Sequence, residues 1–288
     1  MKILKWVLIV LGSLIVLLLI FYGFVYYKTQ SRINKQYQVS LQNIFIPSDS
    51  ASYIRGKRIA TNRGCMGCHG PDLGGGRAFL DEKTPLGILY AMNITSGKGG
   101  LQFTDADWIR VLRHGLDREN KSVWFMPSQD IYEISNQDLG DLLNYVKNQP
   151  PVDRTVPAHS LKPLGRFIVF RNQFPLLSAE MINQNAVFKD SVQATITPAY
   201  GGYLATTCMG CHGSQFKGSL PHSPGEPPIP NISSTGDLSK WTSEGFVNVF
   251  HTGIIPEGRK LDDHMPWKEF KFTDNELKAI YLYLQTVK

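Results

Sequence analysis

Two stretches of this 288-residue chain are identical letter for letter: residues 65–69 and 208–212 both read Cys-Met-Gly-Cys-His. Further features follow both copies in the same order, at a nearly constant spacing of 138 or 139 residues. The matched pairs are Asn93 and Asn231, Gly115 and Gly253, Met126 and Met265, and Leu139 and Leu277. A constant spacing indicates duplication of one folding unit, which here has the size of a small domain. We therefore predict two like domains, at residues 51–150 and 198–288.

The repeated string contains two cysteines three positions apart and a histidine directly after the second. Cys-x-x-Cys-His is an attachment signal for c-type haem. Two thiols at this spacing lie on one side of a helical turn and can bond the two vinyl groups of a porphyrin, while the adjacent imidazole reaches the iron. The sequence therefore predicts two covalently bound haem c groups. Their candidate attachment residues are Cys65, Cys68 and His69 in the first copy, and Cys208, Cys211 and His212 in the second.

Two other uses of a Cys-x-x-Cys pair predict something different. A tetrahedral zinc site needs a second pair of ligands at suitable spacing, and the other cysteines are about 140 residues away in the identical copy. A thioredoxin-type redox pair is expected beside a strand-helix-strand pattern. Neither use explains a histidine that follows the second cysteine in both copies, so we favour haem.

Each unit also contains a candidate second axial ligand. Iron held by histidine and methionine is typical of electron-transfer cytochromes. Met126 and Met265 occupy matching positions in the repeat, each followed by proline and each just before the last helical pattern of its unit. Met66 and Met209 lie inside the attachment motifs and cannot reach the opposite face of a haem. The metal ligands that we predict are His69 and Met126 in the first unit, and His212 and Met265 in the second.

Three histidines are alternatives to these methionines, and each has another explanation. His114 and His251 fall one position out of register between the units, and we expect each on a helix surface. His264 adjoins Met265, but its counterpart in the first unit is Phe125. A ligand role shared by both units is therefore not expected for any of them.

Residues 6–27 form an uncharged and overwhelmingly apolar run. As a helix the run would be about 33 Å long, against a bilayer hydrocarbon core of about 30 Å. A signal peptide has a shorter apolar region of about 7–15 residues that ends at a small-residue cleavage site, whereas this run ends in Tyr26 and Tyr27. Trp6 and the two tyrosines suit the two membrane interfaces. We therefore predict that residues 1–28 are an uncleaved transmembrane anchor.

Charge does not set the orientation of this anchor, because basic residues stand on both sides of it. Attachment of c-type haem takes place on the outer side of the energy-conserving membrane. We therefore expect a single-pass protein of the bacterial cytoplasmic membrane with its haem domains on the periplasmic side. Residues 1–35 hold five of the 30 basic residues and none of the 24 acidic ones, so most of the formal charge of +6 comes from this region. A nucleic-acid partner has no support.

The pattern inside each unit is helical. Thr104 with Asp107, and Thr273 with Glu276, form capping-box patterns ahead of apolar residues at helical spacing. We predict a mainly α fold, in which an N-terminal transmembrane helix precedes two tandem haem domains.

Two segments lie outside the repeated units. Residues 29–50 are expected to form a polar tether. Residues 151–197 have no counterpart elsewhere, and their proline-rich start should be extended. Their middle, at residues 167–177, is too apolar for a free linker, so we expect it to contact a domain surface in preference to the membrane face.

The two units resemble tandem class I cytochrome c domains. In addition, the loop at residues 84–95, TPLGILYAMNIT, is similar to a loop of membrane-associated cytochrome subunits of periplasmic alcohol and gluconate dehydrogenases. Members of that family pass electrons from a dehydrogenase subunit towards quinone or an oxidase. They commonly carry three haem domains where this chain has two, and the second unit here lacks the Thr-Pro-x-Gly loop.

In such domains a loop proline often accepts the second ring N–H of the ligand histidine and so fixes the imidazole. Pro85 is the candidate in the first unit. The second unit offers four candidates that the sequence does not rank: Pro224, Pro227, Pro228 and Pro230.

The residues and the resemblance together predict a membrane-bound dihaem electron carrier of a respiratory chain, with no bond-making chemistry of its own. Its expected partners are redox proteins: a dehydrogenase, a quinol-oxidising complex or an oxidase. The alternative is a dihaem enzyme such as a peroxidase, which would need one iron with an open coordination site.

Overall fold

The computed structural model describes residues 2–220 and 227–288, which form a mainly α-helical chain. The first helix, α1, covers Lys2–Ile33 and contains the predicted apolar run. Its most apolar window has a mean hydropathy of 2.9, and none of that window is buried against the rest of the protein. Helix α1 is thus long enough and apolar enough to cross a membrane.

The first unit consists of helices and a small sheet. The helices are α2 (Ser50–Asn62), α3 (Cys65–His69), α4 (Asp105–His114) and α5 (Asn136–Lys147). The antiparallel strands are β1 (Ala78–Leu80) and β2 (Gly87–Tyr90), and a 3-10 turn covers Ser128–Asp130. The predicted capping box of Thr104 and Asp107 is present at the start of α4, so the local sequence sets where this helix begins.

Residues 151–197, which we call the connecting segment, join the two units. They contain strand β3 (Ser160–Leu161), helix α6 (Pro163–Phe170) and a 3-10 turn at Ser178–Met181. Strand β3 pairs with β2 of the first unit. Three buried side chains of the connecting segment, Val169, Leu176 and Leu177, share a small core with Ile33 of α1 and Leu89 of β2. The apolar middle therefore contacts the first unit, as predicted, and also contacts the end of α1.

Residues 29–50, predicted as a polar tether, are attached to the first unit. Helix α1 continues through Ile33, and the chain that follows packs on the first unit. Ile44 is only 6% exposed and belongs to the core of that unit, with Leu41 and Ile46 packed against the same core. Apolar side chains spaced along this polar stretch therefore hold residues 29–50 against the first unit.

The second unit repeats the helices of the first. They are α7 (Pro198–Ala205), α8 (Met209–His212), α9 (Ser243–Thr252) and α10 (Asp274–Leu284), with 3-10 turns at Thr206–Cys208 and Asp237–Lys240. The predicted capping box of Thr273 and Glu276 is present at the start of α10. The hydrophobic core of the second unit is separate from that of the first unit.

In each unit the first helix crosses the last helix at a glycine. A Cβ atom at Gly56 of α2 would lie far inside van der Waals contact of the Asp141 carbonyl oxygen in α5. A Cβ atom at Gly201 of α7 would meet the Ala279 carbonyl oxygen of α10 in the same way. Only glycine lets the two backbones come this close. Because the attachment motifs follow α2 and α7 within a few residues, each crossing also positions its cysteines.

The two units contact each other beside the attachment motifs. Arg58 of α2 forms an ion pair with Glu276 of α10, in which Nη1 lies 2.6 Å from Oε2. The carbonyl oxygen of Asn62, the last residue of α2, accepts the hydroxyl of Thr207 at 3.0 Å. Since Thr207 directly precedes Cys208, this interface joins the regions where both motifs begin.

Replacement of Gly56 or Gly201 by alanine should destabilise the affected unit by about 1–3 kcal/mol, the usual cost of overpacking, because the added methyl group collides with a helix backbone. Denaturant unfolding of the purified holoprotein measures the effect. The matched control is Gly245→Ala in the first turn of α9, where the nearest atom lies 3.3 Å from the added carbon. If Gly56→Ala unfolds at the same denaturant concentration as this control, the close crossing is contradicted.

Candidate haem sites

The first attachment motif forms the short helix α3 directly after α2. Gly64 turns the chain between them with a φ of 71°, in the left-handed region. Cys68 and His69 line a cavity that Met126 also lines. His69 is buried, and its Nδ1–H donates to the carbonyl oxygen of Met92 at 2.8 Å. That bond leaves Nε2 as the nitrogen available to an iron.

The second attachment motif has the same arrangement. The Nδ1–H of His212 donates to the carbonyl oxygen of Pro230 at 2.9 Å. Met92 and Pro230 each stand directly before the repeated asparagine of their unit. The side-chain oxygens of Asn93 and Asn231 accept the backbone N–H two residues ahead, at 3.0 and 2.8 Å. The repeated asparagine thus fixes the turn that presents the carbonyl oxygen to the ligand histidine.

The prediction of Pro85 as the partner of His69 is wrong, because Met92 supplies the carbonyl oxygen. In the second unit Pro230 is the candidate that makes the bond, while Pro224 lies outside the described residues. Every residue type has a carbonyl group, so the backbone position decides which residue accepts this hydrogen bond.

The four cysteines of the two motifs form no disulfide bond. Burial raises the pKa of the Cys65 thiol and of the Cys208 thiol, in each case to about 12. In addition, the part of the chain that the structure describes has no group of three or more His, Cys, Asp or Glu side chains placed to hold a metal ion. The buried histidine that follows the second cysteine in both copies, bonded through Nδ1 to a backbone carbonyl oxygen, favours attachment to a porphyrin over the two other uses of the motif.

The cavity of the first unit brings its predicted ligands together. Cys68 and His69 of α3 line it, as do Met126 and Pro127 of the loop before α5. The other lining residues are mostly apolar: Phe79, Leu89, Tyr90, Ala91, Met92, Trp124, Phe125 and His159. An apolar lining that includes one histidine and one methionine has the residue types that a haem with histidine and methionine ligands needs.

The connecting segment holds the loop that carries Met126. The backbone N–H of Phe125 donates to the carbonyl oxygen of Leu176 at 2.7 Å, and the hydroxyl of Ser178 donates to the carbonyl oxygen of Met126. The Phe125 ring stacks on Phe174 with a centroid distance of 5.1 Å. Phe125 has a φ of 60°, a strained conformation that costs a non-glycine residue about 1–3 kcal/mol. These contacts therefore fix the backbone on both sides of the methionine.

The turn after Met265 repeats a backbone hydrogen bond of its counterpart. The backbone N–H of Trp267 donates to the carbonyl oxygen of Met265 at 2.8 Å, as that of Ser128 does to Met126 at 2.7 Å. The residue before Met265 is His264, which is exposed, whereas the first unit has a stacked phenylalanine there. The structure thus repeats the turn after Met265, whereas the first unit has a left-handed residue before its methionine and adds contacts from the connecting segment.

The histidines without a predicted ligand role occupy three different surroundings. His251 is exposed, as predicted. The prediction of a surface position for His114 is wrong, since this residue is 3% exposed and its Nδ1 bonds to the Gln184 side chain at 2.9 Å. His159 lines the cavity of the first unit, with Nε2 2.9 Å from the carbonyl oxygen of Tyr90. The repeat gives no signal for His159, because the connecting segment that carries it has no second copy.

Arg63 joins the two attachment motifs. It stands two residues before Cys65, and its guanidinium donates to the hydroxyl of Thr206, which stands two residues before Cys208. It also donates to the carbonyl oxygen of Tyr203 at 3.2 Å. Its charge favours ionisation of both nearby thiols, although burial has the larger effect and raises the pKa of each. One cation therefore acts on both candidate haem sites.

Comparison with known proteins identifies the family of this chain. The model of the cytochrome c family, described as Cytochrome c, matches residues 53–150 and 199–288. The two matches coincide with the two repeated units and together cover more than half of the chain. The protein therefore belongs to the cytochrome c family, whose domains carry covalently bound haem c.

Three relatives match most of the chain. "Alcohol dehydrogenase (quinone), cytochrome c subunit" of Gluconacetobacter polyoxogenes is 25% identical over 281 residues, which cover 83% of this chain and 57% of the relative. The protein of the same name from Komagataeibacter europaeus has the same identity and coverage. "Diheme cytochrome c-type" of Cereibacter sphaeroides is 26% identical over 268 residues, which cover 81% of this chain and 85% of the relative.

These relatives confirm the predicted resemblance to dihaem class I cytochromes and to dehydrogenase cytochrome subunits. The chain spans little more than half the length of the two alcohol dehydrogenase subunits and most of the length of the dihaem cytochrome. Together with the family match they support electron transfer as the general activity.

Ser178→Ala should loosen the loop that carries Met126, because it removes a hydroxyl that donates to the Met126 carbonyl oxygen. A net hydrogen bond contributes about 0.5–1.5 kcal/mol. We therefore expect the reduced first haem to bind carbon monoxide more tightly, by a factor of about two to ten. Optical titration measures this affinity. The control is Ser160→Ala, at an exposed position of β3, and equal affinities in the two variants would contradict the role of the connecting segment.

Proposed function

We propose that this protein is a membrane-anchored electron carrier with two covalently bound haem c groups, one in each unit. The observation that carries the proposal is the duplicated attachment motif, in which both histidines bond a backbone carbonyl oxygen through Nδ1 and leave Nε2 for iron. In the first unit Met126 lines the same cavity as His69. Two protein ligands for each iron suit a change of valence without binding of a reactant.

The side chains of each site have separate tasks in this proposal. The cysteines that would hold the haem through thioether bonds are Cys65 and Cys68 in the first unit, and Cys208 and Cys211 in the second. The axial ligands would be His69 with Met126, and His212 with Met265. When bound, each haem supplies an Fe(III)/Fe(II) couple, whose reduction potential a thioether ligand raises. The apolar lining of the first cavity excludes water and so disfavours the additional charge of the oxidised iron.

The contact between the units supports electron exchange within the chain. Arg63 bonds to Thr206, and Thr207 bonds to the carbonyl oxygen of Asn62, so the two attachment motifs are held side by side. We propose that electrons enter through one unit and leave through the other by way of this interface.

Helix α1 is the proposed anchor, which would keep the haem units at the periplasmic face of the bacterial cytoplasmic membrane. Its length and its exposed apolar surface support this location, as does the outer-side assembly of c-type haem. The relatives named as alcohol dehydrogenase subunits support a dehydrogenase or a quinol-linked complex as the electron donor. An oxidase or another redox protein would be the acceptor. Copurification from detergent-solubilised membranes tests these partners.

The state of both irons tests the proposal against the peroxidase alternative. We expect two haems per chain, as measured from the pyridine haemochrome spectrum against the protein concentration. Both ferric haems should be low-spin in the optical spectrum, because each has a histidine and a methionine ligand. A high-spin ferric band in the resting or half-reduced protein would favour an enzyme with an open iron site. A haem count below two would overturn the proposal.

Met126→Ala and Met265→Ala should each lower the reduction potential of one haem and let that haem bind carbon monoxide, since each removes one thioether ligand. Redox titration followed optically measures the potentials of both haems in each variant. Met92→Leu is the control, because Met92 contributes its backbone carbonyl oxygen to the site and should leave both potentials in place. Unchanged potentials in either alanine variant would contradict that ligand assignment.

Arg63→Gln should lower the potentials of both haems together, because the lost positive charge lies beside both attachment motifs and opposes oxidation at each iron. The same redox titration separates this result from the single-haem effect of a methionine variant. Lys57→Gln is the matched control, since Lys57 lies exposed in α2, the helix that Arg63 directly follows, and solvent screens its charge there. A shift at one haem alone would show that Arg63 does not act on both sites.

A further inference from the structure

Helix α6 of the connecting segment packs across the C-terminal part of α1. The Phe167 ring meets the Phe21 ring edge-on at a centroid distance of 6.3 Å, and the Phe170 ring meets the Phe24 ring edge-on at 5.9 Å. Both α1 residues belong to the apolar run at residues 6–27. Two aromatic pairs therefore place α6 beside the proposed membrane-spanning part of α1.

The depth of these contacts follows from the thickness of a bilayer. A hydrocarbon core of about 30 Å is crossed by about 20 helical residues. A span that begins near Trp6 therefore ends near Val25. Phe21 and Phe24 would lie in the last turns of that span, at the outer boundary of the acyl chains. Their partners on α6 would lie at the same level.

The protein leaves one face of α6 uncovered. Leu164 is 47% exposed and Phe167 is 38% exposed, whereas Gly165 and Val169 are buried. The uncovered face is apolar and continues onto the exposed rings of α1. An apolar face of this kind on a short helix, next to a membrane span, is the arrangement of a helix that lies in the membrane interface.

The polar contacts of α6 lie on the side away from the span. The Arg166 guanidinium donates to the side chains of Thr29 and Gln30, at 3.2 and 3.0 Å. The Arg32 side chain donates to the carbonyl oxygen of Val169 at 2.9 Å. These residues of α1 follow the apolar run, where the lipid headgroups would be. Helix α6 thus has an apolar side towards the acyl chains, and its Arg166 lies towards the headgroups.

We propose that α6 lies in the outer interface of the phospholipid bilayer, with Leu164 and Phe167 inserted at the boundary of the acyl chains. The partner of this surface is the lipid itself. The inference rests on the proposed anchor role of α1. It goes beyond that role, because the connecting segment runs on from α6 to Leu176 and Ser178, which hold the Met126 loop. Contact with the membrane would therefore set the orientation of the first haem site.

Alkylation of introduced cysteines by a charged maleimide that does not enter lipid tests the proposal. The full-length holoprotein is reconstituted in phosphatidylethanolamine and phosphatidylglycerol vesicles, and the modified fraction is measured by mass spectrometry. The variants are Leu164→Cys in α6, Leu17→Cys in the centre of α1, and Ile54→Cys in α2 as the control. Ile54 is 67% exposed on a helix of the first unit, so it shares the exposure and helical context of Leu164.

The three rates separate the inference from the anchor. We expect Ile54→Cys to react fast and Leu164→Cys to react at about one tenth of that rate or below. Leu17→Cys should react only after denaturation. Equal rates for Leu164→Cys and Ile54→Cys, with Leu17→Cys protected, would overturn the inference and leave the anchor standing. Fast reaction of Leu17→Cys would overturn the anchor itself. Protection of Leu164→Cys that disappears as lipid is added in excess would assign the surface to a second protein copy, which also overturns the inference.

Discussion

The close crossing of the first and last helices is the contact on which each unit depends. It requires glycine at residues 56 and 201, because a backbone carbonyl oxygen of the last helix occupies the place of a side chain. The attachment motif follows this crossing within a few residues, so the crossing sets where the cysteines and the ligand histidine lie. The same first helices also form the contact between the units. One steric requirement therefore supports both sites and the interface that joins them.

The connecting segment makes two like units different. It pairs with the sheet of the first unit, lies on the end of α1, and bonds to the backbone on both sides of Met126. The turn after Met265 has the same backbone hydrogen bond as its counterpart, but an exposed histidine stands at the preceding position. The duplication thus supplies two copies of one site, and a single unduplicated segment joins only the first of them to the proposed membrane anchor.

Much of the local structure could be predicted from the sequence. Both capping boxes are present where a threonine precedes an acidic residue by three positions, since such a pattern satisfies backbone groups within one turn. The carbonyl partner of His69 could not be predicted, because the carbonyl oxygen of any residue can accept this hydrogen bond and the fold selects Met92. The burial of His114 could not be predicted either, because the pattern of its own helix does not reveal that residues of the connecting segment cover it.

The sequence by itself determined the features that depend on neighbours along the chain: the duplicated attachment motif, the apolar first helix, the helix starts and the family. The tertiary structure decided which distant residues meet. It brought Arg63 next to the second attachment motif and placed His159 in the first cavity. The physical reason is that covalent spacing and backbone capping act within a few residues, whereas packing between segments depends on the shape of the whole fold.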